Sequence, residues 1–166
     1  MKIQISLPLI AGVLFLAGCG KSDNSAASAP AAASAAPSAA AVLTVEVTAN
    51  DTMKFSTARI EANVGQEVKI ILTNTGTLPK TVMGHNLVVL QKGSDLKAFS
   101  DAAVTAAATD YIPTSLASQV VVHTKLLGAK QSDEITFKLT EAGEYPFLCS
   151  FPGHFSTGMK GVIVVK

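Results

Sequence analysis

The sequence predicts an all-β domain, a sandwich of about seven short strands carrying one helical insertion. Three observations predict it. Apolar and polar residues alternate with a period of two in several short runs. Turn signals such as Asn63-Val64-Gly65, Asn74-Thr75-Gly76 and Glu141-Ala142-Gly143 separate those runs. Only one segment of the domain, 94–108, carries apolar residues at helical spacing.

The elements follow in chain order. Lys2 precedes a mostly apolar run, Ile3 to Gly18, that ends Leu16-Ala17-Gly18-Cys19. The run is shorter than the roughly 20 apolar residues that span a bilayer. A basic start, an apolar middle and small residues before a break make residues 1–18 an export signal. Leu-Ala-Gly-Cys resembles the lipobox of bacterial lipoproteins, which implies lipidation of Cys19 and a mature chain that begins there. Two or more acyl chains would hold such a protein stably at a membrane. Gly20, rather than Asp, after the cysteine resembles the outer-membrane rule of Gram-negative lipoproteins. Residues 19–41 then form a tether: from Ser25 to Ala41 the chain is all Ala, Ser and Pro, with nothing large and apolar to offset the entropy of ordering.

Residues 42–166 have the size of one ordinary domain. Thirteen Lys and Arg less Lys2 and Lys21, and twelve acidic residues less Asp23, leave eleven of each sign, a formal charge of zero. A neutral domain without a basic cluster argues against nucleic acid as a partner. It argues equally against strong electrostatic steering towards a charged protein.

Leu43, Val45 and Val47 alternate with Thr44, Glu46 and Thr48, as a half-buried strand requires. The pattern recurs in Val68-Lys69-Ile70 and, most cleanly, from Ile135 to Thr140. Asn86 to Leu90, Gln119 to Thr124, Glu144 to Cys149 and Gly161 to Val165 are further β-rich runs. Between them, Ser94 to Ala108 places Leu96, Phe99, Ala103 and Ala107 at helical spacing behind a capping Ser94. One helix among strands packs against the side of the sandwich, and its residues carry no chemistry of their own.

Chemistry concentrates in the last connection, Cys149-Ser150-Phe151-Pro152-Gly153-His154-Phe155-Ser156-Thr157-Gly158-Met159. The chain has two cysteines, and with Cys19 lipidated Cys149 is a lone thiol in an oxidising compartment. If Tyr145 and Phe147 face the core, period two puts Cys149 on that face as well. Pro152-Gly153 marks a tight turn able to fold His154 back towards it. Upstream, Met83-Gly84-His85-Asn86 begins another strand and offers a second imidazole. His85, Cys149, His154 and a weak Met159 make a His₂Cys set with a thioether, the pattern of blue-copper electron-transfer sites. Thiolate and thioether favour Cu(I), and imidazole accepts both redox states.

Here the domain resembles the azurins, within the cupredoxin or type 1 blue-copper family, across nearly all of Val42–Lys166. The residues that carry the resemblance are Asn50-Asp51-Thr52-Met53, Leu78-Pro79-Lys80, Met83 to Asn86, His123 to Leu126, and Cys149 to Gly161. The resemblance implies a Greek-key, cupredoxin-like β-sandwich of about seven or eight strands with a helical flap and one copper ion at one end. It implies His85, Cys149 and His154 as equatorial ligands, Met159 as the axial sulfur and the Gly84 carbonyl on the opposite side. Asn86 is similar to an asparagine that ties the ligand loop to its strand and aims an N–H at the thiolate. With Ser150, Phe151 and Pro152 it surrounds the ligands, and Pro152, lacking an N–H, limits the bonds the sulfur receives. An apolar docking face of Met53, Leu78, Val82, Met83, Phe151 and Pro152 around the exposed edge of His154 is implied too. That face suits weak, fast-exchanging redox partners, such as c-type cytochromes, a copper nitrite reductase or a peroxidase. The lipobox and tether resemble lipid-anchored azurins of Gram-negative envelopes, which places the domain in the periplasm on the outer membrane.

The sequence departs from azurins in three places. No cysteine stands near Leu43 or Gln66, where azurins carry a disulfide, and Leu87 lies in the region of a familiar core tryptophan. The ligand loop reads His154-x₄-Met159 rather than His-x₃-Met, a spacing more like auracyanin or rusticyanin. Two other readings of the same residues are a copper carrier that delivers the ion and an enzyme that uses Cys149 as nucleophile. Against the enzyme, no oxyanion-stabilising element is recognisable and Met159 has no task in it. Zinc also fits the donors, since affinity alone does not choose the metal. His123 lies in a strand without nearby donors and is expected outside the site.

Overall fold

Alternation decides which side of each strand is buried, and the computed structural model, which describes residues 41–166, follows it. The expected signal segment, Cys19 and all but the last residue of the expected tether lie outside the described residues. β1 (Leu43–Ala49) buries Val47 and Ala49 and exposes Thr44, Glu46 and Thr48. β3 (Glu67–Asn74) buries Val68, Ile70, Leu72 and Asn74. With β6 (Ser132–Lys138) these strands form a three-stranded sheet in the order β1-β3-β6. β1 runs parallel to β3, with Val45 opposite Ile70, and Ile70 faces Ile135 across the antiparallel β3–β6 pair.

The second sheet has five strands. β2 (Arg59–Ala62), β8 (Lys160–Val165), β7 (Gly143–Leu148), β4 (Val88–Leu90) and β5 (Val120–His123) lie side by side in that order. The chain crosses between the sheets repeatedly, and their inner faces share one core that includes Val47, Ile70, Leu72, Val89, Phe147 and Ile163. At about 1.5–3 kcal/mol for each large side chain removed from water, this core is the main favourable term in the fold.

All three residues of β4 are buried, because both faces of the sheet are covered there. Val89 points into the sandwich, whereas Val88 and Leu90 pack with Leu148 against Phe99 of α2 (Leu96–Ala103). The helical insertion thus lies on the side of the sandwich, as expected, but its ends differ. Asp95, not Ser94, caps it: the Asp95 carboxylate accepts from the N–H of Lys97 at 2.8 Å and of Ala98 at 3.1 Å. The helix stops at Ala103 rather than Ala108, and the chain continues through a tight turn at 107–109 into left-handed Asp110 and Tyr111. A one-turn helix, α1 (Lys80–Met83), and the short β2 were not foreseen; each is four residues long, too short for periodicity to mark.

Candidate metal centre

Cys149 continues the alternation of β7. Tyr145, Phe147 and Cys149 belong to the sandwich core, while Leu148 faces the insertion. The Cys149 N–H donates to the Met159 carbonyl at 3.0 Å and closes the connecting loop at its base. Within the loop the His154 N–H donates to the Phe151 carbonyl at 3.1 Å. Pro152 and a Gly153 at φ 84° occupy the two central positions of that turn, the residues a type II turn demands. His154 is thereby folded back until its Nδ1 lies 3.5 Å from the Cys149 Sγ.

The longer run to Met159 is accommodated by a second turn. The Thr157 hydroxyl and the Met159 N–H both donate to the His154 carbonyl, at 2.7 and 3.1 Å, and Gly158 takes φ 91°. The Lys54 ammonium donates to the Thr157 carbonyl from outside the loop. Met159 is fully buried in the same core cluster as Cys149.

His85 arrives from the other side. Its N–H donates to the Leu127 carbonyl at 3.1 Å and its carbonyl accepts the Leu127 N–H at 2.8 Å, an isolated bridge that fixes the backbone. Gly84 precedes it because a Cβ there would lie 2.7 Å from the Lys80 carbonyl oxygen and 3.0 Å from Leu126. The requirement for glycine is therefore met by packing between α1 and the 126–127 segment. Donor atoms of His85, Cys149 and His154 all lie within 4.8 Å of one another. The three residues are 0, 0 and 2% exposed, so His154 presents far less edge than expected.

Asn86 fastens the two halves together. Its Oδ1 accepts the Ser150 N–H at 2.9 Å, and its Nδ2 donates to the Ser150 hydroxyl at 2.8 Å and to the Asp110 carbonyl at 3.1 Å. The ligand loop also stacks internally. The Phe151 ring lies 4.7 Å from that of His154, and Tyr111 meets Phe151 edge-on at 5.0 Å.

Burial sets the charges here. It pushes the Cys149 thiol up to about 12, against the pull of the Asn86 and Phe151 N–H groups. Burial and the nearby His85 lower His154 to about 4, and burial lowers His85 as well. At neutral pH the pocket holds two neutral imidazoles with free lone pairs and a thiol that loses its proton only beside a cation. Among the described residues, neither His85 ring nitrogen has a hydrogen-bond partner. The Asn50 carbonyl is near enough to oppose the shift in His85 without meeting hydrogen-bond geometry. A buried histidine orphaned at both nitrogens beside a thiol and a second imidazole fits a soft metal ion, because a bound ion satisfies what the protein leaves open.

Of the residues expected around a docking face, Leu78 and Val82 are 39 and 59% exposed. Met53, Met83 and Pro152 are half-buried, and Phe151 is buried between Tyr111 and His154. His123 is exposed, bonds through Nδ1 to the adjacent Thr124 carbonyl and stays outside the cluster. Tyr111 and Asp110 were missed from the sequence, since nothing in periodicity reveals an aromatic residue at φ 63°.

Comparison with known proteins agrees with this geometry. A family model described as copper binding proteins, plastocyanin/azurin family, matches residues 41–166. An azurin of Alcaligenes faecalis is 39% identical over 123 residues, 72% of this chain and 94% of its own length. The outer membrane protein H.8 of Neisseria meningitidis serogroup B is 44% identical over 112 residues, 65% of this chain and 60% of its own length. Among solved structures, a dithionite-reduced auracyanin of Roseiflexus castenholzii superposes with a TM-score of 0.67 at 30% identity, covering 76% of this chain and 98% of its own.

Proposed function

This chain belongs to the plastocyanin/azurin family of copper-binding proteins and is a blue copper electron carrier, and from that premise we propose how its residues perform the task and where. One observation carries the reading: His85 from one segment and Cys149 and His154 from a single loop place three soft or borderline donors, all buried, within 4.8 Å of one another. Those three residues hold one copper ion. The Met159 thioether and the Gly84 carbonyl complete the set in this reading, supported by the burial of both residues and by the bond from the Cys149 N–H to the Met159 carbonyl.

Bound copper supplies a one-electron couple between Cu(I) and Cu(II). The protein's part is to hold the donors still. His85 is fixed by its bridge to Leu127, Cys149 by its bond to Met159, and His154 by three bonds of its own N–H and carbonyl within the loop. Neutral imidazoles need lose no proton on binding, while the Cys149 proton leaves and the Asn86 and Phe151 N–H groups favour the resulting thiolate. Burial of all three side chains excludes water and protects the thiol from oxidants.

The chain is not an enzyme in this reading: a nucleophilic thiol needs access and a lowered pKa, and Cys149 has neither. Ligands held by two separate elements also suit retention of the ion better than delivery. The partners are redox proteins, such as c-type cytochromes, a copper nitrite reductase or a peroxidase, met through the apolar surface of Leu78 and Val82 with the half-buried Met53, Met83 and Pro152. Residues 1–18 direct export, and Cys19 carries the lipid that holds the domain at the periplasmic face of an outer membrane by the 19–41 tether. The lipobox and the identity shared with a protein named outer membrane protein H.8 support this placement.

Addition of copper(II) to the purified protein is expected to give an intense blue colour at one equivalent, bleached and restored by reductant and oxidant. A colourless protein whose Cys149 remains open to alkylation contradicts the reading.

A further inference from the structure

We propose that Tyr111 is a positioning residue for the His154 imidazole, so that the helical insertion between β4 and β5 takes part in holding the metal site. The inference rests on His154 being a copper ligand. Asp110 and Tyr111 are consecutive non-glycine residues in the left-handed region, at φ 52° and 63°. For an aromatic residue that conformation is strained, and strain of this kind persists only where the surroundings over-determine it.

The surroundings here do so from three sides. The Tyr111 N–H donates to the Ala106 carbonyl at 2.9 Å. The Lys80 ammonium lies 3.7 Å from the Asp110 carboxylate. The buried Asn86 amide donates to the Asp110 carbonyl at 3.1 Å while its other contacts grip Ser150, the residue after Cys149. One side chain therefore locks the end of the insertion to the ligand loop.

What the strained pair achieves is the placement of a ring. Tyr111 meets Phe151 edge-on, with centroids 5.0 Å apart at 67°, the favoured T-shaped arrangement. Phe151 in turn lies 4.7 Å from His154, whose Nδ1 is 3.5 Å from the Cys149 sulfur. The contacts run without a break from the insertion to the site, and Tyr111 is the outermost member. Without its ring, Phe151 loses its edge-on partner and gains freedom to move, and the imidazole loses its backing.

The test compares Tyr111→Gly, which tolerates the backbone angle but removes the ring, with Tyr111→Phe, which keeps the ring. Groups hydrogen-bonded directly to a metal ligand cost about 10–100-fold in affinity when removed, and Tyr111, which reaches His154 through Phe151, is set at the lower end of that range. The glycine variant is expected to bind copper(II) about tenfold more weakly and to shift the visible absorption band and the reduction potential. NMR relaxation of the metal-free variant is expected to show a more mobile His154 ring. The phenylalanine variant is expected to match wild type in all four readouts. If Tyr111→Gly does not fold, Tyr111→Asn, also tolerated at positive φ, is read in the same way. A variant that only melts earlier, with affinity, band, potential and ring mobility unchanged, overturns the inference, as does a phenylalanine variant as impaired as the glycine one. Wild type that fails to take up copper removes the underlying ligand reading; wild type that binds beside an unaltered Tyr111→Gly removes this inference alone.

Discussion

Truncating Asn86 to alanine should destabilise even the metal-free protein by about 2–4 kcal/mol. Asn86 is fully buried, and its amide satisfies the Ser150 N–H, the Ser150 hydroxyl and the Asp110 carbonyl together. A buried donor left without a partner costs about 1–3 kcal/mol, and the Ser150 N–H is such a donor. The Asp110 carbonyl is only part-buried, so water can reach it and its loss adds about 1 kcal/mol. The Ser150 hydroxyl, buried as well, loses both of its Asn86 partners and pushes the total towards the upper end of that range. Against a total stability of about 5–15 kcal/mol, this is a large fraction. Urea denaturation of the metal-free protein measures it as a lower midpoint at unchanged slope. A loss under about 0.5 kcal/mol would show that Asn86 does not join the two halves of the site as its bonds suggest.

Three further outcomes follow from other parts of the molecule. Gly161→Ala places a Cβ 2.2 Å from the Phe147 ring and 2.5 Å from the Ala58 carbonyl oxygen, and should cost about 1–3 kcal/mol or more; an unchanged melting temperature contradicts the packing. Cys149 is fully buried, and a thiol at about 12 rather than 9.0 holds about a thousandth of the usual thiolate. Iodoacetamide should therefore label the native metal-free protein far more slowly than the urea-unfolded chain, and equal rates refute the burial. Burial alone would raise the Asp133 carboxyl, but the Lys125 N–H at 2.9 Å and the Lys125 ammonium at 3.1 Å outweigh it and hold its pKa below the ordinary 3.8. The unfolded chain then takes up that proton first, so the stabilisation is present above about pH 3.8 and lost as pH falls through the folded value. Urea midpoints against pH should show a shallower acid limb in Asp133→Asn, and an identical limb counts against the bond.

Much of the fold and of the site was legible in the sequence, for identifiable reasons. Uninterrupted alternation through Tyr145, Phe147 and Cys149 placed the thiol inward correctly, because a period of two leaves no choice of face once one residue is buried. Pro152-Gly153 encoded the turn that returns His154, since both residues carry backbone preferences of their own. His85 is picked out by its donor type, as a second imidazole, and the resemblance rather than spacing gives it its place as a ligand, because the fold brings it to Cys149 from 64 residues away in the chain, and local pattern does not report that. The insertion was read less well. Ser94 and Asp95 are both competent caps, and propensity does not choose between neighbours. The Ala-rich run to Ala108 favours helix, yet the grip of Asn86 on Asp110 and the packing of Tyr111 on Phe151 override it and turn the chain early.

A redox titration of the copper-loaded protein tests the central claim most directly. The account predicts a single reversible transition that follows a one-electron Nernst curve, about 59 mV per tenfold change in ratio, with the blue absorption tracking the oxidised fraction and one copper retained throughout. Release of the ion on reduction, or a protein that holds one metal ion and shows no transition at all, would contradict it.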